Sequence, residues 1–273
     1  MKHCFITPTE FMNDPEIGWK SDFMLVLSHL LDRDCTNKYA EEVIKFRESW
    51  KTIYLDNGLF ENLEPESGKD LLRKAELIWA EYVFAPDYLY DNTKTALAFN
   101  TFADLRDELE VDVKLAFVVQ ADNPLDYLNS YKWAEENDRI DMIWISILSV
   151  PKSFESITQS DDITLNRIVC MKILEDFIKP KKDAHLLWLW SSLWDLVEWK
   201  KYNFIKSNDS SSAFQNWLFG RKYHKPDSEP YPEVDWGKIE EKVNFDSQRE
   251  FIDDIKYKQI VENIDFITNL IKE

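Results

Sequence analysis

Four polar residues stand just after short apolar runs, where residue type and spacing could combine to do chemistry. Asp56 follows KTIYL, Asp87 follows EYVFA by one residue, Gln120 follows KLAFVV, and Asp209 lies shortly after NFIK. Three carboxylates and an amide are suited to general acid–base work, to nucleophilic attack and to hydrogen bonding of a polar substrate. Whether they can act together depends on the elements that position them.

Eight short runs rich in β-branched and aromatic residues predict strands. They lie at 3–7, 23–29, 51–55, 81–85, 114–119, 142–147, 185–189 and 203–206. Stretches of helical length separate most of them, at 37–50, 67–81, 92–109, 123–137 and 164–179, and a last helix is expected at roughly 247–272. Uninterrupted apolar strands that alternate with helices indicate a parallel sheet covered on both faces.

The predicted fold class is α/β, as a single-domain (β/α)8 TIM-type barrel. Eight strands is the number that closes such a barrel, and the 273 residues of the chain are close to its usual size. A doubly wound open sheet is the alternative, but its GxGxxG signature after the first strand is absent from the sequence. We assign residues 1–223 to the barrel and 224–273 to a proline-containing connection and a helix that packs on it.

The carboxyl ends of barrel strands form the active-site rim, so the four polar residues are expected on one face. Each also has a simpler explanation. Asp56 can belong to an ordinary Asp-Asn-Gly turn, Asp87 can cap the next helix, and Asp209 can serve as an N-cap. Their coincidence at successive strand ends favours a functional site.

Composition narrows the class of protein. The net charge of −18, from 33 basic and 51 acidic residues, counts on average against a protein that coats nucleic acid. Three scattered cysteines and four unpaired histidines predict a reducing compartment, no disulfide framework and no metal site. No apolar run approaches the roughly 20 residues of a membrane span, and the N-terminus lacks an apolar signal segment. We expect a cytoplasmic protein with no membrane partner.

The stretch DNGLFE at 56–61 resembles the DSGG[FY]Q signature of the tRNA-guanine transglycosylases, and it is closer still to the variant in their relatives that modify viral DNA. Ala85-Pro86-Asp87 with Asp91 and Thr95, Val119-Gln120 and the segment IKSNDS at 205–210 resemble later motifs of that superfamily, in the same order. The resemblance spans roughly residues 50–215.

The resemblance implies a base-exchange reaction on a flipped-out guanosine. It implies that Asp209 is the nucleophile that forms a covalent glycosyl intermediate and that Asp56 is the general acid and base. Asp87 and Gln120 would bind the base. Phe60 would stack near it, and Ser146 would occupy the position of a glycine-rich contact. No metal and no cofactor are required.

The chain departs from the tRNA enzymes in ways that affect the expected substrate. It has no cysteine after Cys170 and therefore lacks their zinc-binding signature, Leu59 replaces the second motif glycine, and no glycine occurs at 145–147. We expect the compact DNA-modifying branch, which inserts a 7-deazaguanine derivative of the preQ0 type and so shields phage genomes from restriction. In that case the chain acts in the host cytoplasm. tRNA is the alternative polymer. The sequence leaves open whether the chain needs a partner protein.

A basic stretch surrounds Asp209 in the sequence. Its residues are expected to contact the nucleic-acid backbone: Lys200, Lys201, Lys206, Arg221 and Lys222. Two other functions stay open. The chain could be an inactive family member that serves as a nucleic-acid-binding subunit, or a barrel hydrolase of small glycosides or nucleosides that uses two carboxylates.

Overall fold

The computed structural model describes residues 1–59, 64–188, 193–214, 223 and 254–273. In this part of the chain, eight parallel strands form a single sheet with the order β1-β8-β7-β6-β5-β4-β3-β2. The strands are β1 (Lys2–Phe5), β2 (Phe23–Val26), β3 (Thr52–Leu55), β4 (Tyr82–Phe84), β5 (Lys114–Val119), β6 (Met142–Ile145), β7 (Ala184–Leu186) and β8 (Ile205–Ser210). The sheet curls into a nearly closed barrel, which confirms the predicted (β/α)8 fold.

The seam of the barrel lies between β1 and β2, the two ends of the strand order. The Asp22 backbone N–H donates to the His3 carbonyl over 2.9 Å. The Phe5 N–H donates to Ser21 Oγ over 3.0 Å, and the Leu25 N–H donates to Cys4 Sγ over 3.3 Å. At this seam, the Ser21 and Cys4 side chains thus accept two backbone N–H groups that would bond to carbonyls in a regular β ladder.

Helices follow most strands and cover the outside of the sheet. They are α1 (Lys38–Glu48), α2 (Gly68–Leu77), α3 (Asn92–Glu108), α4 (Pro124–Glu136), α5 (Ser149–Thr158), α6 (Ile163–Ile173), α7 (Trp194–Trp199) and α8 (Asp254–Lys272). Five of them start at a polar N-cap whose side chain accepts a backbone N–H three residues on: Asn37, Ser67, Asp91, Asn123 and Asp162. These caps satisfy donors that the first helical turn leaves open.

Alternation along each strand divides the core into two layers. Residues that point into the barrel form one apolar cluster: Cys4, Ile6, Phe23, Leu25, Tyr54, Phe84, Ala116, Val118, Met142 and Trp144. The alternate residues, Phe5 and Val26 among them, pack outwards against the helices in a larger cluster. The barrel interior is therefore filled by side chains, and a site must lie at one of its mouths.

The C-terminal helix α8 packs on the barrel through Ile260, Ile264 and Ile267, which are fully buried in the outer layer. Its Tyr257 hydroxyl donates to the Asp14 carboxylate over 2.9 Å. The connection that precedes it falls largely outside the described residues. Among those that are described, no helix is long and apolar enough to cross a membrane.

A buried ion pair holds the loop between β3 and α2. Lys74 Nζ lies 2.6 Å from Glu66 Oε1 and donates to the Ser28 carbonyl over 3.0 Å, while the Glu66 N–H donates to the Asn57 carbonyl over 2.9 Å. The Lys74 side chain is only 8% exposed. The pair therefore ties α2 to the residues that follow Asp56.

Lys74→Met is expected to lower the free energy of unfolding by about 3 kcal/mol, because it leaves Glu66 as a poorly solvated charge without its partner. The double variant with Glu66→Leu should recover most of that loss. Equilibrium denaturation with urea measures both. A single variant within about 0.5 kcal/mol of the wild type would show that the pair contributes little.

Candidate active site

A pocket at the carboxyl ends of the strands brings together four of the predicted site residues. Asp56, Asp87, Gln120 and Ser146 all line it, beside Asn57. The rest of its lining is mostly apolar: Leu25, Leu27, Leu59, Phe84, Leu89, Val118, Ile147, Leu148, Leu187 and Trp188. A mostly apolar cleft with a few convergent polar groups is the usual form of a small-molecule site.

Asp56 leads a tight turn that follows β3. Its backbone N–H extends the ladder to the Val26 carbonyl over 2.9 Å, and its Oδ2 accepts the Gly58 N–H over 3.1 Å. Gly58 has φ 71°, a left-handed conformation that glycine adopts without steric cost. The turn explanation and the site explanation are therefore compatible, because the turn is what aims Asp56 into the pocket.

Asp87 is the centre of a buried polar network. Asn57 Nδ2 donates to its Oδ1 over 2.7 Å, and Gln120 Nε2 donates to its Oδ2 over 2.6 Å. Asn57 also donates to the Ala85 carbonyl over 2.9 Å, and Gln120 Oε1 accepts the Tyr90 N–H over 3.2 Å. Because both amides are held at each end, their orientation is fixed. Both N–H groups of Asn57 are used, and one N–H of Gln120 remains for a ligand.

The alternative role of a helix cap belongs to a neighbour of Asp87. Asp91 Oδ1 accepts the Lys94 N–H over 2.8 Å at the start of α3, and Thr95 Oγ1 accepts the Tyr88 N–H over 3.0 Å. These contacts fix the loop that carries Asp87, which leaves the Asp87 carboxylate for the network in the pocket.

Ser146 reaches the pocket, but its side chain also has a structural role. Its Oγ accepts the N–H groups of Leu148 and Ser149, both over 3.2 Å, at the start of α5. The prediction that Ser146 contacts a base therefore concerns a hydroxyl that already caps a helix.

Asp209 points into the barrel from β8 and is completely buried. Its Oδ1 accepts His185 Nε2–H over 2.8 Å and the Trp188 N–H over 3.2 Å. Its Oδ2 has no hydrogen-bond partner among the described residues. Trp188 lines the pocket, so Asp209 lies directly behind the pocket wall rather than at a helix N-cap.

Burial sets the protonation of the acidic groups. It raises the pKa of Asp56 to about 7, and the charges of Asp87 and Asp209 add to that rise against the Gly58 N–H, which lowers it. Burial also raises the pKa of Asp87 to about 6, although hydrogen bonds from Asn57 and Gln120 restrain the shift. A carboxyl that titrates near neutral pH is suited to give and take protons in one reaction cycle.

The raised pKa of Asp56 predicts how its removal changes stability with pH. An unfolded aspartate titrates near 3.8, whereas Asp56 in the folded protein titrates near 7. The stability that protonated Asp56 contributes is therefore fully present below pH 3.8 and is lost as the pH rises through about 7. Asp56→Asn removes this loss and can still accept the Gly58 N–H. In thermal scans, the melting temperature of Asp56→Asn should therefore rise relative to that of the wild type between pH 4 and pH 8. A constant offset over that range would contradict the shift.

The structure describes three of the basic residues that are expected to contact the nucleic-acid backbone, and none of Lys200, Lys201 and Lys206 lines the pocket. Lys200 and Lys206 line a separate cavity of about 570 Å³ at the amino ends of the strands, the opposite mouth of the barrel. Lys200 Nζ donates to the Leu270 carbonyl over 2.8 Å, and Lys201 pairs with Glu198 over 2.6 Å. Lys200 and Lys201 precede β8 and Lys206 is its second residue, whereas Asp209 lies near its end, and the two ends of a strand face opposite mouths. Phe60, Arg221 and Lys222 lie outside the described residues.

Sequence reasoning missed three contributors to the site. Asn57 was treated as a turn residue, yet it joins the ends of β3 and β4. His185 is one of the four histidines that are unpaired in the sequence, yet it bonds Asp209. Arg167, fully buried, donates from Nη1 to the Trp188 carbonyl over 2.7 Å and from Nη2 to the Leu187 carbonyl over 2.9 Å. A buried arginine 42 residues before Asp209 carries no local signal of such a role.

No family model matches the sequence, and no curated protein matches it. In the part of the chain that the structure describes, no three His, Cys, Asp or Glu side chains are grouped so that they could hold a metal ion. The residues of the pocket themselves therefore have to suggest the chemistry. They offer one carboxyl that titrates near pH 7 and a fixed array of donors and acceptors. Behind the pocket wall lies the buried Asp209, whose Oδ2 has no hydrogen-bond partner within the described ranges.

Proposed function

We propose that the chain is a transglycosylase that exchanges guanine in DNA for a 7-deazaguanine derivative through a covalent aspartyl intermediate. The observation that carries the proposal is the placement of Asp209, with its free Oδ2, behind a pocket lined by Asp56, Asp87 and Gln120. The order of these residues along the chain, which resembles that of the tRNA-guanine transglycosylases, adds to it.

The Asp87 network is complementary to the edge of guanine. The carboxylate has two lone pairs in use, towards Asn57 and Gln120, and two more that can accept the N1–H and N2–H of the base. The second N–H of the Gln120 amide can donate to O6. Adenine presents an acceptor at N1 and would leave the carboxylate without a partner there, so the network discriminates between purines.

In the first step, Asp209 Oδ2 forms a bond to the sugar C1′ as the C1′–N9 bond of guanine breaks. Protonated Asp56 supplies the proton that the departing guanine takes up. In the second step, N9 of the incoming base forms its bond to C1′, the C1′–Oδ2 ester bond breaks, and the N9 proton returns to Asp56. Two displacements on one carbon retain its configuration, as in retaining glycosyl transfer.

The complete burial of Asp209 requires the pocket wall to shift when substrate binds. The Trp188 side chain is half-buried and forms part of that wall. Its backbone is anchored at both the N–H, by Asp209, and the carbonyl, by Arg167. We therefore assign the opening to rotation of the indole, with the backbone held in place.

A base-exchange assay tests the proposal. Purified protein is offered radiolabelled guanine with duplex DNA, single-stranded DNA or bulk tRNA in separate reactions. Label in DNA but not in tRNA supports the proposal, and label in tRNA alone changes the polymer. Absence of label from every polymer overturns exchange and favours a binding subunit.

A nucleoside hydrolase is the second candidate, favoured by the distance of Lys200 and Lys206 from the pocket, because a small nucleoside needs no phosphate contacts. It predicts release of free guanine from deoxyguanosine in the absence of any polymer. The transglycosylase predicts no such release. Chromatography of the same reactions separates the two functions.

Lys206→Glu is expected to leave base exchange in DNA within about twofold of the wild type, because the side chain lies at the opposite mouth of the barrel from the pocket. The KM for a DNA oligonucleotide at two salt concentrations is the measurement. A large rise in KM with a shallower salt dependence would show that this mouth does meet the phosphate backbone.

A further inference from the structure

The barrel interior contains a hydrogen-bonded chain that the proposed reaction does not yet use. Ser207 Oγ lies 2.8 Å from His185 Nδ1, and His185 Nε2 lies 2.8 Å from Asp209 Oδ1. All three side chains are buried. This series of hydrogen bonds runs from Ser207, which lines the cavity at the amino ends of the strands, to the Asp209 carboxylate behind the pocket.

Aromatic rings fix the His185 imidazole in place. Trp144 stacks on it with ring centroids 3.7 Å apart, and Phe23 and Tyr54 meet it edge-on at 5.7 and 6.1 Å. A ring held between these neighbours cannot turn without repacking the interior of the barrel. Its two nitrogens therefore keep separate partners.

The partners define which nitrogen carries the proton. A carboxylate only accepts, so the nitrogen beside Asp209 must be Nε2–H. Burial lowers the pKa of His185, which favours the neutral ring, and Nδ1 is then an acceptor for the Ser207 hydroxyl proton. Asp209 thus selects the tautomer, and the Ser207 hydroxyl satisfies the remaining nitrogen, Nδ1.

We propose that His185 is a positioning residue that holds Asp209 by Oδ1, together with the Trp188 N–H, so that Oδ2 is the oxygen that attacks the sugar. This inference rests on the proposed function. In the first step the two donors fix the carboxylate while Oδ2 forms the bond to C1′. In the second step they stabilise the negative charge that returns to the carboxylate as the C1′–Oδ2 bond breaks.

A matched pair of variants tests the role of the donor. His185→Gln can place an amide N–H near the position of Nε2, whereas His185→Leu fills similar space without a donor. We expect His185→Leu to lower kcat for base exchange by about 100-fold with KM for the polymer nearly unchanged, because His185 does not touch the substrate. His185→Gln should recover most of that loss.

His3→Leu is the control for a general effect of removing a buried histidine. His3 lies on β1, on the side of the strand that faces away from the barrel interior, next to Phe5 and bonded to Asn208. It should lose stability without the specific loss of kcat. Thermal unfolding of every variant confirms that it is folded at the assay temperature.

The outcomes separate the two proposals. Exchange by His185→Leu at the wild-type kcat, or equal losses in the Leu and Gln variants, overturns the role of His185 and leaves the transglycosylase intact. A wild type without exchange overturns both. Nitrogen NMR of 15N-histidine-labelled protein gives a second test, since an Nδ1–H tautomer or an imidazolium at His185 contradicts the assignment whatever the activity.

Discussion

Asp209→Asn is expected to lower base exchange by at least about 1000-fold. An amide at this position cannot form the ester with the sugar and then leave it. Its oxygen can still accept the His185 Nε2–H, so the barrel interior should remain packed. Incorporation of labelled guanine into DNA, measured beside a thermal scan, checks both expectations.

Asp183→Asn is the matched control for Asp209→Asn. Asp183 is the residue immediately before β7, and it lines the cavity at the amino ends of the strands. It should exchange base at the wild-type rate. A folded Asp209→Asn protein that exchanges base as well as this control would remove Asp209 from the mechanism.

Asp56→Asn is expected to lower exchange by roughly 100- to 10,000-fold, the range for loss of a general acid–base group. The wild-type kcat/KM for the polymer should fall as the pH rises through about 7, because the first step needs protonated Asp56. The variant has no such group, so its residual rate should lose this descending limb. A pH–rate profile from pH 5 to pH 9 is the measurement.

Asp91→Asn provides the control for this second substitution. Asp91 caps α3 beside the pocket, and asparagine is an equally good N-cap. Its pH profile should match that of the wild type. If Asp56→Asn kept the descending limb, some other group would have to account for it, and Asp56 could not be the acid.

The pattern of short apolar runs was enough to predict most of the fold. β5 was predicted at its observed bounds, 114–119, because a continuous apolar run between polar residues specifies a buried parallel strand. β8 was predicted at 203–206 but spans Ile205–Ser210. Its second half, Ser-Asn-Asp-Ser, carries no apolar signal, and it is buried because Asn208 and Asp209 find partners on β1 and β7 that only the barrel supplies.

Helix α5 was missed for a related reason. It begins only four residues after β6 ends and carries Pro151 in its first turn, so no polar loop marked its start. Proline is tolerated there because the first helical N–H groups have no partner within the helix.

The site was predicted in outline where position in the chain decides the geometry. Asp56, Asp87 and Gln120 follow successive strands, and parallel strands deliver such residues to one rim. Lys200 and Lys206 lie at the other mouth for the same reason, because Lys200 stands before β8 and Lys206 at its start. The bond between His185 and Asp209 joins residues 24 apart and depends on strand register, which the sequence does not display.

The central claim is that Asp209 bonds to the sugar, and a covalent adduct tests it most directly. Wild-type protein and a guanine-containing DNA oligonucleotide are mixed, quenched in denaturant, digested and examined by mass spectrometry. The account predicts a deoxyribosyl ester on the peptide that contains Asp209, with one free guanine per adduct and no adduct in Asp209→Asn. Exchange without an adduct, or an adduct on Asp56 or elsewhere, would contradict it.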